Sequence, residues 1–144
     1  MASYLMGIDY GTGGGKACII DQEGEVQSYA YREYEIINEK SDWSEHDPDR
    51  YWNIAGELIE ECLSKANIEG SQIRGIGTSS ALPSLVMVDK NGDPLQRAYN
   101  LMDRRAKSQV EWIREKVGQK RVFEVTANRL NDHPIMVNLM WERD

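Results

Sequence analysis

An acidic residue and a basic residue flank a glycine-rich segment near the start of the chain. Asp9 follows one short apolar run, Lys16 begins another, and four of the five residues at 11–15 are glycine. A backbone so rich in glycine exposes its amide groups and allows a bulky anion to approach closely. A carboxylate that can hold a cation, bare amides and an ammonium group together suit a polyphosphate bound to Mg²⁺. These residue types and their spacing therefore predict a phosphate-binding turn.

Two other glycine-rich phosphate motifs do not fit this segment. The Walker A pattern requires glycine where Tyr10 stands and Ser or Thr where Ala17 stands, and the dinucleotide fingerprint requires glycine in place of Lys16. The pattern that fits is Asp-x-Gly-Thr followed by a basic residue across a hairpin. It resembles the first phosphate loop of the actin-like ATPase superfamily. On the loop alone, a purely structural turn remains the alternative.

The composition is typical of a soluble protein. With 144 residues, 40% of them hydrophobic and 28% charged, the chain is long enough for one domain with a substantial core. A net charge of −7 argues against nucleic acid or an anionic membrane as a partner. The first residues show neither a signal peptide nor a membrane-spanning run, so we expect a cytoplasmic protein. His46, His133, Cys18 and Cys62 lack the spacing of metal ligands, which argues against a zinc site.

Short apolar runs predict a mixed sheet. Tyr4–Asp9 and Lys16–Asp21 are expected to pair as a hairpin, and Val26–Ile37 is expected to add a third antiparallel strand. Ile73–Ser80 follows a predicted helix, so we expect it to pair in parallel with an earlier strand. Its carboxyl end, at 78–84, would then open beside the phosphate turn, where α/β sheets place their ligands.

The remaining segments are predicted to be mainly helical. Apolar residues recur at helical spacing over Asp49–Ala66, after an Asp47 cap and Pro48 at the first helical position. A second hairpin is predicted around Asn91-Gly92. Further helices are predicted from about Arg105, over 119–127, and over 134–143 after a start at Asp132 and Pro134.

Four stretches of the chain, taken in order, resemble the amino-terminal part of the FGGY carbohydrate kinases. That family includes xylulokinases, gluconokinases, ribulokinases and glycerol kinases. The stretches are DYGTGGGK at 9–16, WSEHDPDRYW at 43–52, GIGTSSALPSLVMVDKNGDPL at 75–95 and MDRRA at 102–106. One match could arise by chance, but four in the family's order and spacing form a specific signature.

The resemblance implies a fold and a set of site residues. The family fold consists of two ribonuclease-H-like domains of the actin-like ATPase type, with ATP and sugar in the cleft between them. Asp9 would then help to hold the Mg²⁺ of MgATP, usually through water, and Lys16 would approach the phosphate charge. The residues that would face the phosphates are Gly11, Thr12 and Gly13, and those that would meet the sugar are Ala81, Leu82, Ser84, Asp103 and Arg105.

The chain departs from the family pattern at positions that bear on the substrate. Gly13 and Gly14 stand where Thr or Ser is usual, which removes two possible hydroxyl contacts to phosphate. Residues 81–83 are Ala-Leu-Pro where many xylulokinases have Gln-Met-His, and the Arg-Glu pair of glycerol kinases is absent. The charged residues at 103–105 could equally form a solvated helix cap. The sugar is therefore left unnamed.

The resemblance also implies that residues 1–144 are the amino-terminal portion of the first kinase domain. We expect the general base and the adenosine pocket to lie beyond residue 144, and the isolated chain to be inactive. In such an incomplete α/β domain, the strand at Ile73–Ser79 would leave an open sheet edge. Self-association, or contact with the rest of the kinase, would cover that edge.

Three functions remain to be separated. The leading hypothesis is ATP-dependent phosphorylation of a small sugar, sugar acid or polyol, with ATP and Mg²⁺ as cofactors. The alternative is a non-catalytic nucleotide-binding or scaffold module of the same fold. The third is a generic α/β domain whose glycine-rich hairpin is only structural, and the four ordered stretches argue against it.

Overall fold

The computed structural model describes residues 3–131 and 135–144. The chain divides into two compact units, of which the first comprises Met1–Ile36 and His46–Ala81 and the second comprises Ile37–Glu45 and Leu82–Asp144. The strands are β1 (Tyr4–Tyr10), β2 (Gly14–Ile20), β3 (Val26–Glu33), β4 (Glu45–His46), β5 (Ile73–Ser80) and β6 (Ala98–Tyr99). The helices are α1 (Pro48–Ala66), α2 (Lys107–Lys116), α3 (Gln119–Thr126) and α4 (Ile135–Arg143). Among the described residues, no helix is both long enough and apolar enough to span a membrane.

The first unit is built on a four-stranded sheet with the strand order β3-β2-β1-β5. β2 runs antiparallel to both β1 and β3, whereas β5 runs parallel to β1. The predicted mixed sheet of three antiparallel strands and one parallel strand is confirmed. β5 lies at an edge of the sheet, as expected. β3 ends at Glu33 rather than Ile37, because Ile37 pairs instead with Glu45 in the second unit.

Helix α1 packs on one face of this sheet, as its apolar stripe predicts. The Asp47 side chain accepts a hydrogen bond from the Asp49 amide at 3.1 Å, and Pro48 occupies the first turn, so the predicted start is confirmed. Ile54 and Leu58 of α1 are fully buried. They belong to one core cluster with Met6, Ile8, Ala17, Ile19 and Ala30 from the strands. This packing anchors β1 and β2, which carry the predicted phosphate turn.

Two of the four glycines assigned to the turn lie instead inside strand β2. Gly14 and Gly15 are both buried, because neighbouring elements approach the β2 backbone closely. A Cβ atom on Gly14 would lie 2.5 Å from the Arg32 carbonyl oxygen, and one on Gly15 would lie 2.8 Å from Ile54 Cγ2. The turn itself is therefore short, and the two strand glycines allow β3 and α1 to pack against its base.

We expect Gly14→Ala to lower the free energy of unfolding by about 1–3 kcal/mol, because the new methyl group overlaps a backbone carbonyl that cannot rotate away. Gly13→Ala is the matched control, since a Cβ atom at that position meets nothing within 4 Å. Urea unfolding of the two variants measures the difference. Equal stability of the two variants would contradict the close approach of β3.

The second unit combines a small sheet with three helices. β4 pairs with β6 in a two-stranded sheet. The helices enclose a separate core formed by Ala106, Val110, Ile113, Leu130 and Val137. Helix α2 begins at Lys107 rather than near Arg105, and α3 ends at Thr126, close to the predicted bound. The predicted α4 start at Asp132 and Pro134 lies outside the described residues, as does His133.

The predicted second hairpin forms only in part. Its arms make isolated bridges, one between Leu85 and Tyr99 and one between Val88 and Pro94, rather than a continuous ladder. The turn itself is well defined, because the Asp89 carboxylate accepts hydrogen bonds from the amides of Asn91 and Asp93. The end of the second arm pairs in β6 with β4, which explains why the ladder is interrupted.

A buried arginine organises the polar centre of the second unit. The Arg105 guanidinium donates to the Asp103 carboxylate at 2.7 Å and to the Glu45 carboxylate at 2.6 Å, and all three side chains are nearly inaccessible. The guanidinium carbon also lies 3.9 Å from the ring centre of Trp43 and 3.7 Å from that of Tyr99. Asp103 accepts a further hydrogen bond from the Ser44 amide at 2.9 Å. Two charges and two aromatic faces thus hold one cation in place.

We expect Arg105→Ala to lower the free energy of unfolding by about 3–5 kcal/mol, because the buried Asp103 carboxylate would lose its cation and Glu45 would keep only Arg97, at 3.5 Å. Arg114→Ala provides the control, since the Arg114–Glu111 pair is solvent-exposed and such pairs contribute about 1 kcal/mol or less. Chemical unfolding followed by tryptophan fluorescence reports both values. A loss at Arg105 no larger than at Arg114 would refute the structural role.

Candidate phosphate-binding site

The predicted phosphate turn occupies residues 11–13, between β1 and β2. Asp9 and Lys16 are direct partners across the two strands, and Lys16 Nζ lies 3.9 Å from Asp9 Oδ2. Both side chains are well exposed, at 42% for Asp9 and 63% for Lys16. Such an exposed pair contributes little to stability. Both groups are therefore accessible to a ligand.

The carbonyl groups of the turn are held by side chains and backbone of the first unit. The Tyr34 hydroxyl donates to the Gly11 carbonyl, and the Tyr34 amide donates to the Gly13 carbonyl at 3.4 Å. Between them, the Thr12 backbone is hydrogen-bonded to the ring of His46. Each of the three residues of the turn thus has a backbone partner in Tyr34 or His46.

The amide groups of the turn point the other way. A trans peptide unit is planar, with its C=O and N–H directed oppositely, so a carbonyl fixed on one side directs the following amide to the other. The Gly11 and Thr12 carbonyls are fixed, and the amides of Thr12 and Gly13 donate to no acceptor within residues 3–131 and 135–144. These outward amides form the kind of concave donor set that binds anions.

The two tyrosines near the turn stay protonated and can act as donors. Burial raises the pKa of Tyr34 to about 12, and the Asp9 carboxylate acts in the same direction. Burial also raises the pKa of Tyr51, with a smaller contribution from Tyr34. The opposite effect applies to His46, whose pKa is lowered by burial. The network below the turn is therefore neutral at physiological pH.

Strand β5 reaches the turn at its carboxyl end, as predicted. Asp9 is paired with Ser79, Tyr10 is paired with Ser80, and the Ala81 amide donates to the Tyr10 carbonyl at 2.7 Å. The sheet face opposite α1 carries a groove of about 840 Å³, lined in part by Asp9, Lys16 and Ser79. Both charged groups of the site therefore face an open groove of the first unit.

The remaining predicted sugar contacts lie in the second unit. Leu82 is 77% exposed, and Ser84 is half-buried. Asp103 and Arg105 form the buried ion pair described above, with side chains at 0% and 2% exposure. Their contact with a sugar stays a prediction.

The sequence did not point to three residues of the network below the turn. Tyr34 falls within the predicted strand Val26–Ile37, Tyr51 falls within the predicted helix Asp49–Ala66, and His46 lacks the spacing of a metal ligand. In the structure, the rings of Tyr34 and His46 are 4.9 Å apart and those of Tyr34 and Tyr51 are 5.4 Å apart. The sequence signal for His46 is its position within the stretch at 43–52. That stretch does not indicate which residues the His46 ring contacts.

Comparisons with known proteins identify the family of the chain. Residues 4–144 match the FGGY family of carbohydrate kinases, N-terminal domain. The chain is 36% identical to a probable L-xylulose kinase of Haemophilus influenzae over 98% of the chain and 29% of that protein. It is 32% identical to a glycerol kinase of Staphylococcus haemolyticus over 92% of the chain and 26% of that protein.

The fold is also shared with a solved structure. The crystal structure of xylulose kinase from Rhodospirillum rubrum superimposes with a TM-score of 0.89 at 25% identity, over 97% of the chain and 29% of that protein. The chain thus spans less than a third of the length of these relatives. The family match over residues 4–144 shows that the chain belongs to the FGGY family of carbohydrate kinases.

Proposed function

We propose that residues 1–144 form the amino-terminal part of an ATP-dependent kinase that phosphorylates an alcohol group of a small sugar, sugar acid or polyol. The observation that carries this proposal is the turn at 11–13, whose Thr12 and Gly13 amides donate to no acceptor among the described residues and which lies between an accessible carboxylate and an accessible ammonium group. Phosphoryl transfer requires mainly positioning and neutralisation of charge, which these groups can supply. The family assignment supports the same reaction class.

In this proposal Asp9 and Lys16 have different electrostatic roles, one toward the metal and the other toward the polyphosphate. Mg²⁺ commonly keeps several waters and takes one or two carboxylates together with phosphate oxygens. Asp9 fits that pattern, because its carboxylate is accessible and borders the groove. Lys16, now 3.9 Å from Asp9, would turn to the polyphosphate when the metal neutralises Asp9. The amides of Thr12 and Gly13 would bind phosphate oxygens.

The acceptor is proposed only as a class. The relatives above are named as a probable L-xylulose kinase and a glycerol kinase, so their names differ in the acceptor. Ala81 is a predicted sugar contact beside the turn, since its amide is bonded to the Tyr10 carbonyl. Leu82 and Ser84 stay proposed sugar contacts. We place the general base and the adenosine pocket outside residues 1–144, as the family resemblance implies.

We expect Asp9→Asn and Lys16→Ala, each made in the full-length kinase, to lower kcat/KM by about 10²–10³-fold, the usual loss when one stabilising group for transition-state charge is removed. ADP release with a panel of ketoses, aldonates and polyols measures the effect. Lys65→Ala is the control, because Lys65 pairs with Glu61 away from the turn. Unchanged kcat/KM in both site variants would reject the phosphate-site assignment. MgATP binding by the unmodified enzyme without turnover of any acceptor would favour the non-catalytic module.

The isolated 1–144 chain should bind MgATP only weakly and should show no turnover. One phosphate turn without an opposing adenosine pocket offers few contacts to repay the entropy lost on association. Isothermal titration calorimetry with MgATP, beside the full-length protein as the reference, tests this expectation. Equal affinity of the two proteins would show that residues 1–144 hold the whole nucleotide site.

A further inference from the structure

We propose that His46 is a positioning residue for the phosphate turn: its ring holds the Thr12 carbonyl inward, so that the Gly13 amide faces the polyphosphate. This inference rests on the proposed function. It assigns a task to a buried, titratable side chain that neither the motif nor the exposed charge pair explains.

The first observation is the place of His46 below the turn. The residue is 2% exposed, and its ring packs edge-to-face against Tyr34 at 4.9 Å and Tyr51 at 5.7 Å. These two tyrosines come from different segments, one just after β3 and one in the first turn of α1. The ring is therefore fixed from two sides, and its nitrogens have defined directions.

The second observation concerns the proton on the His46 ring. The bond to the Thr12 backbone favours the protonated imidazole, so the ring acts as the donor and the Thr12 carbonyl as the acceptor. The other contact joins Nδ1 to the Tyr51 hydroxyl at 2.6 Å. Nε2–H thus donates to Thr12, while Nδ1 accepts from Tyr51, whose raised pKa keeps its proton in place.

The third observation is the agreement between two neighbouring supports. Tyr34 fixes the Gly11 carbonyl and thereby directs the Thr12 amide outward. His46 does the same for the next peptide unit and the Gly13 amide. Since burial lowers the pKa of His46, this support carries no charge at neutral pH. Charge neutralisation is left to Lys16 and the metal, and His46 contributes orientation only.

The ordinary alternative is a core histidine that serves packing alone. Under that reading, any residue that fills the volume would preserve nucleotide binding. The positioning reading instead requires a donor at the place of Nε2. A glutamine side chain can present its amide N–H at that reach, whereas leucine offers similar bulk without a donor.

The test compares His46→Leu and His46→Gln in the full-length kinase, with KM for MgATP, KM for the acceptor and kcat measured separately. We expect His46→Leu to raise KM for MgATP about tenfold, the equivalent of about 1.4 kcal/mol, with acceptor KM unchanged. His46→Gln should stay within about threefold of the unmodified enzyme. A folded His46→Leu enzyme with unchanged KM for MgATP would overturn the proposal, and so would a tenfold rise in both variants.

Two further variants keep the outcome interpretable. Tyr51→Phe retains the ring packing but removes the hydroxyl that fixes Nδ1, so it should raise KM for MgATP about threefold even if His46→Leu does not fold; no change there would overturn the proposal. Asp9→Asn and Lys16→Ala distinguish a failure of the His46 inference from a failure of the proposed function. If these two variants impair the enzyme while the His46 and Tyr51 variants do not, only the His46 inference fails. If they too have no effect, the proposed function fails as well.

Discussion

The orientation of two peptide planes, Gly11–Thr12 and Thr12–Gly13, is the constraint on which the candidate site depends. A glycine-rich turn in water samples many backbone conformations, and binding an anion would normally require it to lose that freedom. Here the Tyr34 hydroxyl and the His46 ring already hold the two carbonyls inward. The ordering takes place during folding, so less of it has to occur when a polyphosphate arrives.

The close packing of β2 explains how these supports reach the turn. Gly14 lets β3 approach so closely that a Cβ atom would meet a backbone oxygen, and Gly15 does the same for α1. Tyr34 follows β3 directly, and Tyr51 belongs to α1. Gly14 and Gly15 therefore help to bring the supporting side chains beneath the turn.

The parts of the fold that follow local rules could be predicted from the sequence. Alternating and apolar runs predicted the four strands of the first sheet. The Asp47–Pro48 start predicted the first residue of α1 to within one position. The network below the turn could not be predicted in this way. Tyr34 is 12 residues from His46 in the sequence, and no local rule predicts that their rings lie 4.9 Å apart. The residues next to His46 in the sequence therefore do not indicate its contact partners.

The Asp103–Arg105 pair shows a second limit of pattern reasoning. The same two residue types at a helix start can bind a ligand, cap the helix in solvent, or form a buried ion pair, and only burial separates these cases. With side chains at 0% and 2% exposure and with Glu45, Trp43 and Tyr99 around the guanidinium, the pair already has its partners. The buried ion pair is therefore the arrangement that the structure describes, and a direct contact of these two side chains with a sugar stays a prediction.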